Sequence, residues 1–491
     1  MLVIPGGVGK DTCDGVTRRE MLRVGGSAAL GISLANMLQM QKSTAEDGKY
    51  GGVGFGKAKS VILCYLQGGP SHLDLWDPKT DVPDNVKSVF KPIDTKLPGY
   101  QFTELLPKLA TVNDKFTQIR SVSYTPIGLF NHTAAIYQML TGYTADTVSP
   151  SGQLEPPSPN DFPNVGSNII RLKPIDKPML PFVMLPRPLQ ESNVIGKGGT
   201  AGFLGPAFDP YYFYQDPAEK IKLDDLSMRS DVPKERLERR AALLKKIDAA
   251  MPEMEKAVAG YALDSYYQKA FSLILSGRAR DAFDLSKEDP RTRDRYGRNS
   301  WGQQLLLSRR LVEAGVEVMT TSLSGPLCGR VNNWDDHAVN HNVFEAMRFR
   351  SAAYDQAVSA LIEDIYERGL DKRVLVVVTG EFGRTPKISY AASTGGGDAS
   401  APAGTQQPGR DHWPRAFSNI WAGGGIQTGR VIGATDKRGE DSVERICGPG
   451  DFLATIYHHL GIDAGKTLIK DFNGRPTPVV DHGKPIPELR G

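Results

Sequence analysis

Two stretches of the chain repeat one plan, and that plan restricts the fold more than any other feature. SWGQQLLLSRRLVEAGVEVMTTSL, residues 300 to 323, reads as an amphipathic helix, a glycine stop at Gly315 and a buried strand. AYDQAVSALIEDIYERGLDKRVLVVVTGEFG, residues 353 to 383, repeats it with Gly369 as the stop and VLVVVT as the strand. SVILCYLQGG, which starts at Ser60, is a third buried strand closed by a glycine turn. Aliphatic and β-branched runs without polar alternation are strands covered on both faces, and helices between them make a parallel sheet. The expected fold is an α/β/α sandwich with a mostly parallel sheet. With 491 residues, 40% hydrophobic and 23% charged, the chain can build the core that such a domain needs.

Other segments fill in the organisation. Residues 1–45 read as an export signal and linker, and 46–491 as the folded domain. A helix-rich insertion is expected over about 233–290, and the low-complexity stretch 391–409, AASTGGGDASAPAGTQQPG, as a flexible loop over the site. The net charge is +3 with no basic run past the N-terminus, so nucleic acid is not an expected partner. The four cysteines, Cys13, Cys64, Cys328 and Cys447, form no CxxC pair, which argues against a zinc ribbon or a disulfide scaffold. Cys64 reads as core, and a Cys328–Cys447 bridge stays open.

The leader carries a clear signal. TRREMLRVGGSAALGISLANML, residues 17 to 38, has twin arginines at Arg18 and Arg19 followed by a weakly apolar Gly/Ala/Leu stretch. That is the layout of a twin-arginine export signal. Its apolar part, Val24 to Leu38, is short beside the ~20 residues of a membrane span. The expected location is the periplasm or beyond the cell. No clear Ala-x-Ala site follows, so an uncleaved signal is the one expected link to a membrane.

Ligands of doubly wound sheets bind outside the carboxyl ends of the strands, and the polar clusters fall there. GGPSHLDLWDPK offers His72, Asp74 and Asp77, while NNWDDHAVNH offers Asp335, Asp336, His337 and His341. GEFGRTP offers Glu381 and Arg384, and GRDHWPR offers Arg410, Asp411 and His412. Taken singly, each could be a helix cap, an ion-paired turn or a packed corner. Together, carboxylates and imidazoles are the donors of a zinc or manganese site. NHTAAIYQMLTGY, residues 131 to 143, adds a short helix with His132 and Thr133 at its mouth. A helix N-terminus favours an oxyanion. Trp76, Trp334 and Trp413 sit beside these clusters and would suit sugar stacking or plain core packing.

GGPSHLDLWDPK, NHTAAIYQMLTG, WDDH, GEFGRTP and GRDHWP, in this order behind the twin-arginine leader, resemble the secreted domain of unknown function 1501 family. The resemblance spans about residues 15 to 485. It implies an alkaline-phosphatase- and sulfatase-like fold whose strand ends hold one or two divalent ions around a phosphate or sulfate ester. The ion implied is zinc, with manganese or calcium as alternatives. Asp335 and His337 match the ligand pair of one metal, Glu381 falls where further ligands are expected, and His412, next to Asp411, resembles the late histidine ligand. The first ligand of such sites is an Asp directly after strand one, where this chain has Gln67; His72 or Asp74 would have to substitute. The nucleophile position, ten residues before Gly142, holds His132 with Thr133 beside it. Arg384 and Arg410 are candidates to clamp the anion. No Cys-x-Pro-x-Arg stretch is present, so formylglycine chemistry is not expected.

Three functions are compatible with these residues. The first is a metal-dependent hydrolase acting on a small anionic ester or on a sulfated or phosphorylated glycan. The second is an exported anion- or carbohydrate-binding protein that kept the fold without turnover. The third is a scaffold partner of a larger exported complex. Metal content and turnover separate them.

Overall fold

A computed structural model describes residues 52–124, 131–144, 156–175, 179–191, 194–222, 239, 277–325, 333–396 and 399–490. The expected export leader and most of the expected insertion lie outside these residues, as does Cys328. Cys447 is a buried free thiol, and the possible bridge to Cys328 falls outside the described residues.

Eight strands form the central sheet: β1 (Ser60–Tyr65), β2 (Phe116–Val122), β3 (Phe182–Leu185), β4 (Tyr211–Tyr212), β5 (Val318–Ser322), β6 (Val374–Thr379), β7 (Phe417–Gly423) and β8 (Arg430–Ile432). They lie side by side in the order β8-β2-β7-β6-β1-β5-β3-β4. Every pairing is parallel except the two made by β7, which runs against β6 and β2. The sheet is thus mostly parallel, with one reversed strand inside it.

The central strands are buried throughout because alternate side chains feed two separate cores. Ile62 and Cys64 of β1 pack with Val376 and Val378 under helices α3 (Ser300–Ala314) and α4 (Val343–Glu367). Val61, Leu63 and Tyr65 pack with Leu375 and Val377 under α1 (His132–Thr141), α2 (Val165–Leu172) and α5 (Pro449–His459). This is the three-layer sandwich that the buried runs predict. Helix α4 starts at Val343, ten residues or nearly three turns before the stretch in which the amphipathic pattern is read, and the Asn342 side chain caps it by accepting from the Phe344 and Glu345 amides. Among the described residues no helix is long and apolar enough to cross a membrane.

The stretch 391–409 is not a flexible loop. Ser389–Ala392 and Gln406–Gly409 pair as an antiparallel hairpin. Its tip hangs on the chain before α4: Asn342 N–H donates to Ala399 O at 2.8 Å, Thr394 N–H to Val339 O at 3.2 Å, and the buried Gln407 amide to Ala338 O at 2.7 Å. Small residues let the backbones approach, and backbone hydrogen bonds do what apolar side chains do elsewhere.

Candidate metal centre

The site is built at the sheet edge where β1, β2, β5 and β6 end. After β1 the chain turns through Gln67-Gly68-Gly69. Gly68 has φ +112°, and a Cβ there would stand 2.4 Å from the Asp335 amide nitrogen, so only glycine lets the 333–337 segment lie against the turn. Trp334 N–H donates to Gln67 O at 2.8 Å, which fixes that segment. Helix α1 starts at the same edge after β2. The Asn131 side chain caps it by accepting from Ala134 N–H at 3.2 Å, leaving His132 free to turn inward. His412 arrives differently: it precedes the reversed strand β7, whose N-terminal end is at this edge, and is paired with Arg384 across a two-residue ladder.

One oxygen is the focus. Asp335 Oδ1 lies 3.3 Å from His132 Nε2, 3.1 Å from His337 Nε2 and 3.1 Å from His412 Nε2, and it also receives an Arg384 N–H. His337 and His412 bring their Nε2 atoms within 2.9 Å of each other. Two of the rings are held from behind. His132 Nδ1 is 2.7 Å from Glu381 Oε1, and His337 Nδ1 is 3.0 Å from Asp411 Oδ1. A carboxylate on Nδ1 fixes the tautomer that leaves the Nε2 lone pair free for a metal.

Electrostatics follow from the crowding. Burial alone would lower the His132 pKa, but Asp335 and Glu381 outweigh it and lift it to about 10. Burial would raise the Asp335 carboxyl, yet Arg384 and His132 hold it well below the usual carboxylate range. His337 is raised, Asp335 overcoming burial, whereas His412 is lowered by burial with help from His132 and Arg384. Glu381 is fully buried; its Oε1 also accepts Gly68 N–H at 2.7 Å, and its Oε2 has no hydrogen-bond partner. Burial and then the Glu381 charge push the Tyr65 and Tyr124 phenols up.

The donor set fits a small divalent cation. The three Nε2 atoms lie 3.1–3.3 Å from Asp335 Oδ1, close to the ~3.3 Å expected between ligand atoms around one zinc, although His337 stands outside the group whose ligand atoms are all mutually close. His132, Asp335 and His412 offer ligand atoms all within 4.8 Å of one another. His132 Nε2 is buried, and its polar neighbour is Asp335 Oδ1 at 3.3 Å, a pair of ligand atoms that a shared cation would hold together.

Several expected site residues are placed elsewhere. Asp74 does not join the metal cluster: its carboxylate is buried against Arg410, with Nε at 2.8 Å, and accepts from Ser71 Oγ at 2.5 Å. Nor does His72, fully buried with Nε2 at 2.8 Å from Gly439 O. Arg410 is no anion clamp, because Asp74 and the carbonyls of Thr385, Pro386 and Val86 take all its donors. Arg384 is likewise fully buried and spent on the Gly69, Gly68 and Arg410 carbonyls and Asp335. Asp411 sits behind His337 rather than at the focus. Thr133 is buried beside His132, and its hydroxyl has no hydrogen-bond partner. Trp76 and Trp334 are core, Trp334 stacking on Trp301 at 5.7 Å, while the half-buried Trp413 donates to Glu440 O.

With the site described, the chain can be compared with known proteins. The model of the family described as "Protein of unknown function (DUF1501)" matches residues 58–490. The chain belongs to this family. No curated protein matches this DUF1501 member. Among solved structures it is similar to the PsFucS1 sulfatase from Pseudoalteromonas sp., at 10% identity and TM-score 0.38, covering 86% of this chain and 71% of that one. It is also similar to the phosphonate monoester hydrolase SpPMH from Silicibacter pomeroyi, at 13% identity and TM-score 0.35, covering 88% and 77%. A third is the lipoteichoic acid synthase LtaP from Listeria monocytogenes, at 12% identity and TM-score 0.34, covering 86% and 79%.

Proposed function

We propose that this DUF1501 protein is an exported, metal-dependent hydrolase of phosphate or sulfate esters that works without formylglycine. The observation that carries the reading is the convergence of His132, His337 and His412 on Asp335 Oδ1, with Glu381 and Asp411 behind two of the rings. Three nitrogens and one oxygen suit zinc or manganese; calcium, which takes 6–8 oxygens, suits them poorly. A bound cation there supplies Lewis-acid polarisation of an ester oxygen. The residues supply the rest. Glu381 Oε1 keeps the proton of His132 on Nδ1, and Asp411 does the same for His337. Both nitrogens of His132 are thereby engaged, which makes it a ligand and leaves the Thr133 hydroxyl, at the N-terminus of α1, as the nucleophile. Arg384 orients Asp335 rather than the substrate.

The test is metal analysis together with turnover of p-nitrophenyl phosphate and p-nitrophenyl sulfate. Asp335→Asn is expected to lose both metal and hydrolysis. Thr133→Ala is expected to keep the metal and lose hydrolysis. A wild-type protein that binds no divalent ion sinks the proposal.

A second reading, a non-catalytic exported binder of anions or carbohydrates, draws support from Gln67 in the first ligand's place. Metal uptake without turnover of any ester would favour it.

A further inference from the structure

A second concavity opens on the same edge of the sheet, over the ends of β3 and β5. It measures about 240 Å³, and its walls include Arg187, Tyr214, Asp216, Ser300, Gln304 and Ser324. We propose that it is a subsite for a sugar ring carrying an anionic substituent, a reading that builds on the ester hydrolase proposed above and names its substrate as an anionic glycan.

The walls match such a ligand point by point. Arg187 is half-buried and has no hydrogen-bond or ion-pair partner among the described residues, unlike Arg384 and Arg410. A guanidinium at a cavity wall that makes no ion pair can bind an oxyanion with two parallel N–H donors. The same wall carries Ser300, the first residue of the 15-residue helix α3, whose dipole adds to the attraction. Gln304 is 1% exposed; its Oε1 accepts from Thr321 Oγ1 at 3.3 Å, which leaves its amide N–H groups for a ligand oxygen. Asp216 accepts from Ser300 Oγ at 2.5 Å and from Ala218 N–H at 2.9 Å, and its remaining lone pairs suit hydroxyl donors. Tyr214 is 67% exposed, an apolar face with a polar tip beside these groups. One cation, one carboxylate that takes hydroxyl donors, several neutral donors and acceptors and one exposed ring describe a site for a polyhydroxylated ligand with an anionic group at the Arg187 end, and a bare phosphate would use only the first.

The position supports the same ligand. Ser324 and Gly325 continue directly from β5, and Leu323 N–H donates to Tyr65 O at 2.9 Å, which ties this wall to the end of β1. Strands β3 and β1 are two strands apart, about 10 Å at the usual strand spacing. The cavity thus opens at the same edge of the sheet as the metal centre and shares no lining residue with it.

The test is calorimetric titration of the full-length protein with glucose 6-sulfate, glucose and inorganic sulfate, before and after EDTA treatment. Glucose 6-sulfate is expected to bind more tightly than either other probe, with or without EDTA and also in Asp335→Asn. Arg187→Ala is expected to weaken glucose 6-sulfate about tenfold, the effect of one lost charge-assisted contact, and to leave glucose unchanged. Tyr214→Ala should weaken both sugars, and unchanged melting temperatures would show both variants folded. Equal binding by all variants overturns the subsite. So does inorganic sulfate binding as tightly as the sugar sulfate, or binding that vanishes with EDTA. Sugar sulfate binding in a protein with no metal uptake and no turnover would retain the subsite and reject the hydrolase reading.

Discussion

At the scale of single residues the site depends on what stands behind each imidazole. Asp411 is half-exposed and touches His337 only through Nδ1, so Asp411→Asn leaves every proposed ligand in place. Metal affinity is expected to fall about 10–100-fold, the usual effect of losing a carboxylate behind a ligand histidine, measured by competition with a metallochromic chelator. His459 shows a different residue-scale effect. Burial, with His458 adding to it, lowers its pKa to about 3. The unfolded chain binds that proton near pH 6.5 and the folded one does not, so stability is full above 6.5 and falls as pH drops towards 3. Urea midpoints at pH 7 and pH 5 are expected to differ less in His459→Leu than in the wild type; an identical pH dependence would show that the histidine carries none of it.

Elements decided which polar residues became site and which became structure. That Asp335, His337 and Glu381 gather at one edge was legible, because they follow strands that the buried runs reveal, whereas His412 precedes β7, which those runs did not mark. The fate of Asp74 was not. It stands beside the first strand like a ligand, but its partner Arg410 comes from 336 residues away, and nothing in either local sequence signals the pair. A buried ion pair costs little while intact and much when halved. Asp74→Ala is expected to lose about 3–5 kcal/mol of stability in chemical denaturation, while the folded fraction keeps its metal. A stable but metal-free variant would return Asp74 to the ligand set. The hairpin at 389–409 was misread for a related reason: a Gly/Ala/Thr composition looks like a linker when its anchors are main-chain groups on the segment before α4. Sequence patterns report side-chain burial far better than backbone pairing.

For the whole molecule, the fold class was readable because three buried strands and two long helices carry the pattern without help from tertiary context. The reversed strand β7 was not, since direction leaves no mark on a buried run. Export is also a whole-molecule matter, and the twin-arginine leader is the basis for proposing it. Replacing Arg18 and Arg19 by Lys is expected to hold the protein in the cytoplasm, read by fractionation; continued export would exclude that route.

The reversed strand also sets the order in which the protein becomes competent. His132 and His412 are 280 residues apart, and His412 reaches the edge only when β7 inserts between β2 and β6. Contacts of such long range form late in folding. A partly made or partly folded chain can therefore offer a cation at most a fragment of the site, and tight loading becomes a certificate that the sheet has closed. On the proposed export of the folded chain, the compartment in which that closure happens fixes which metal pool it samples.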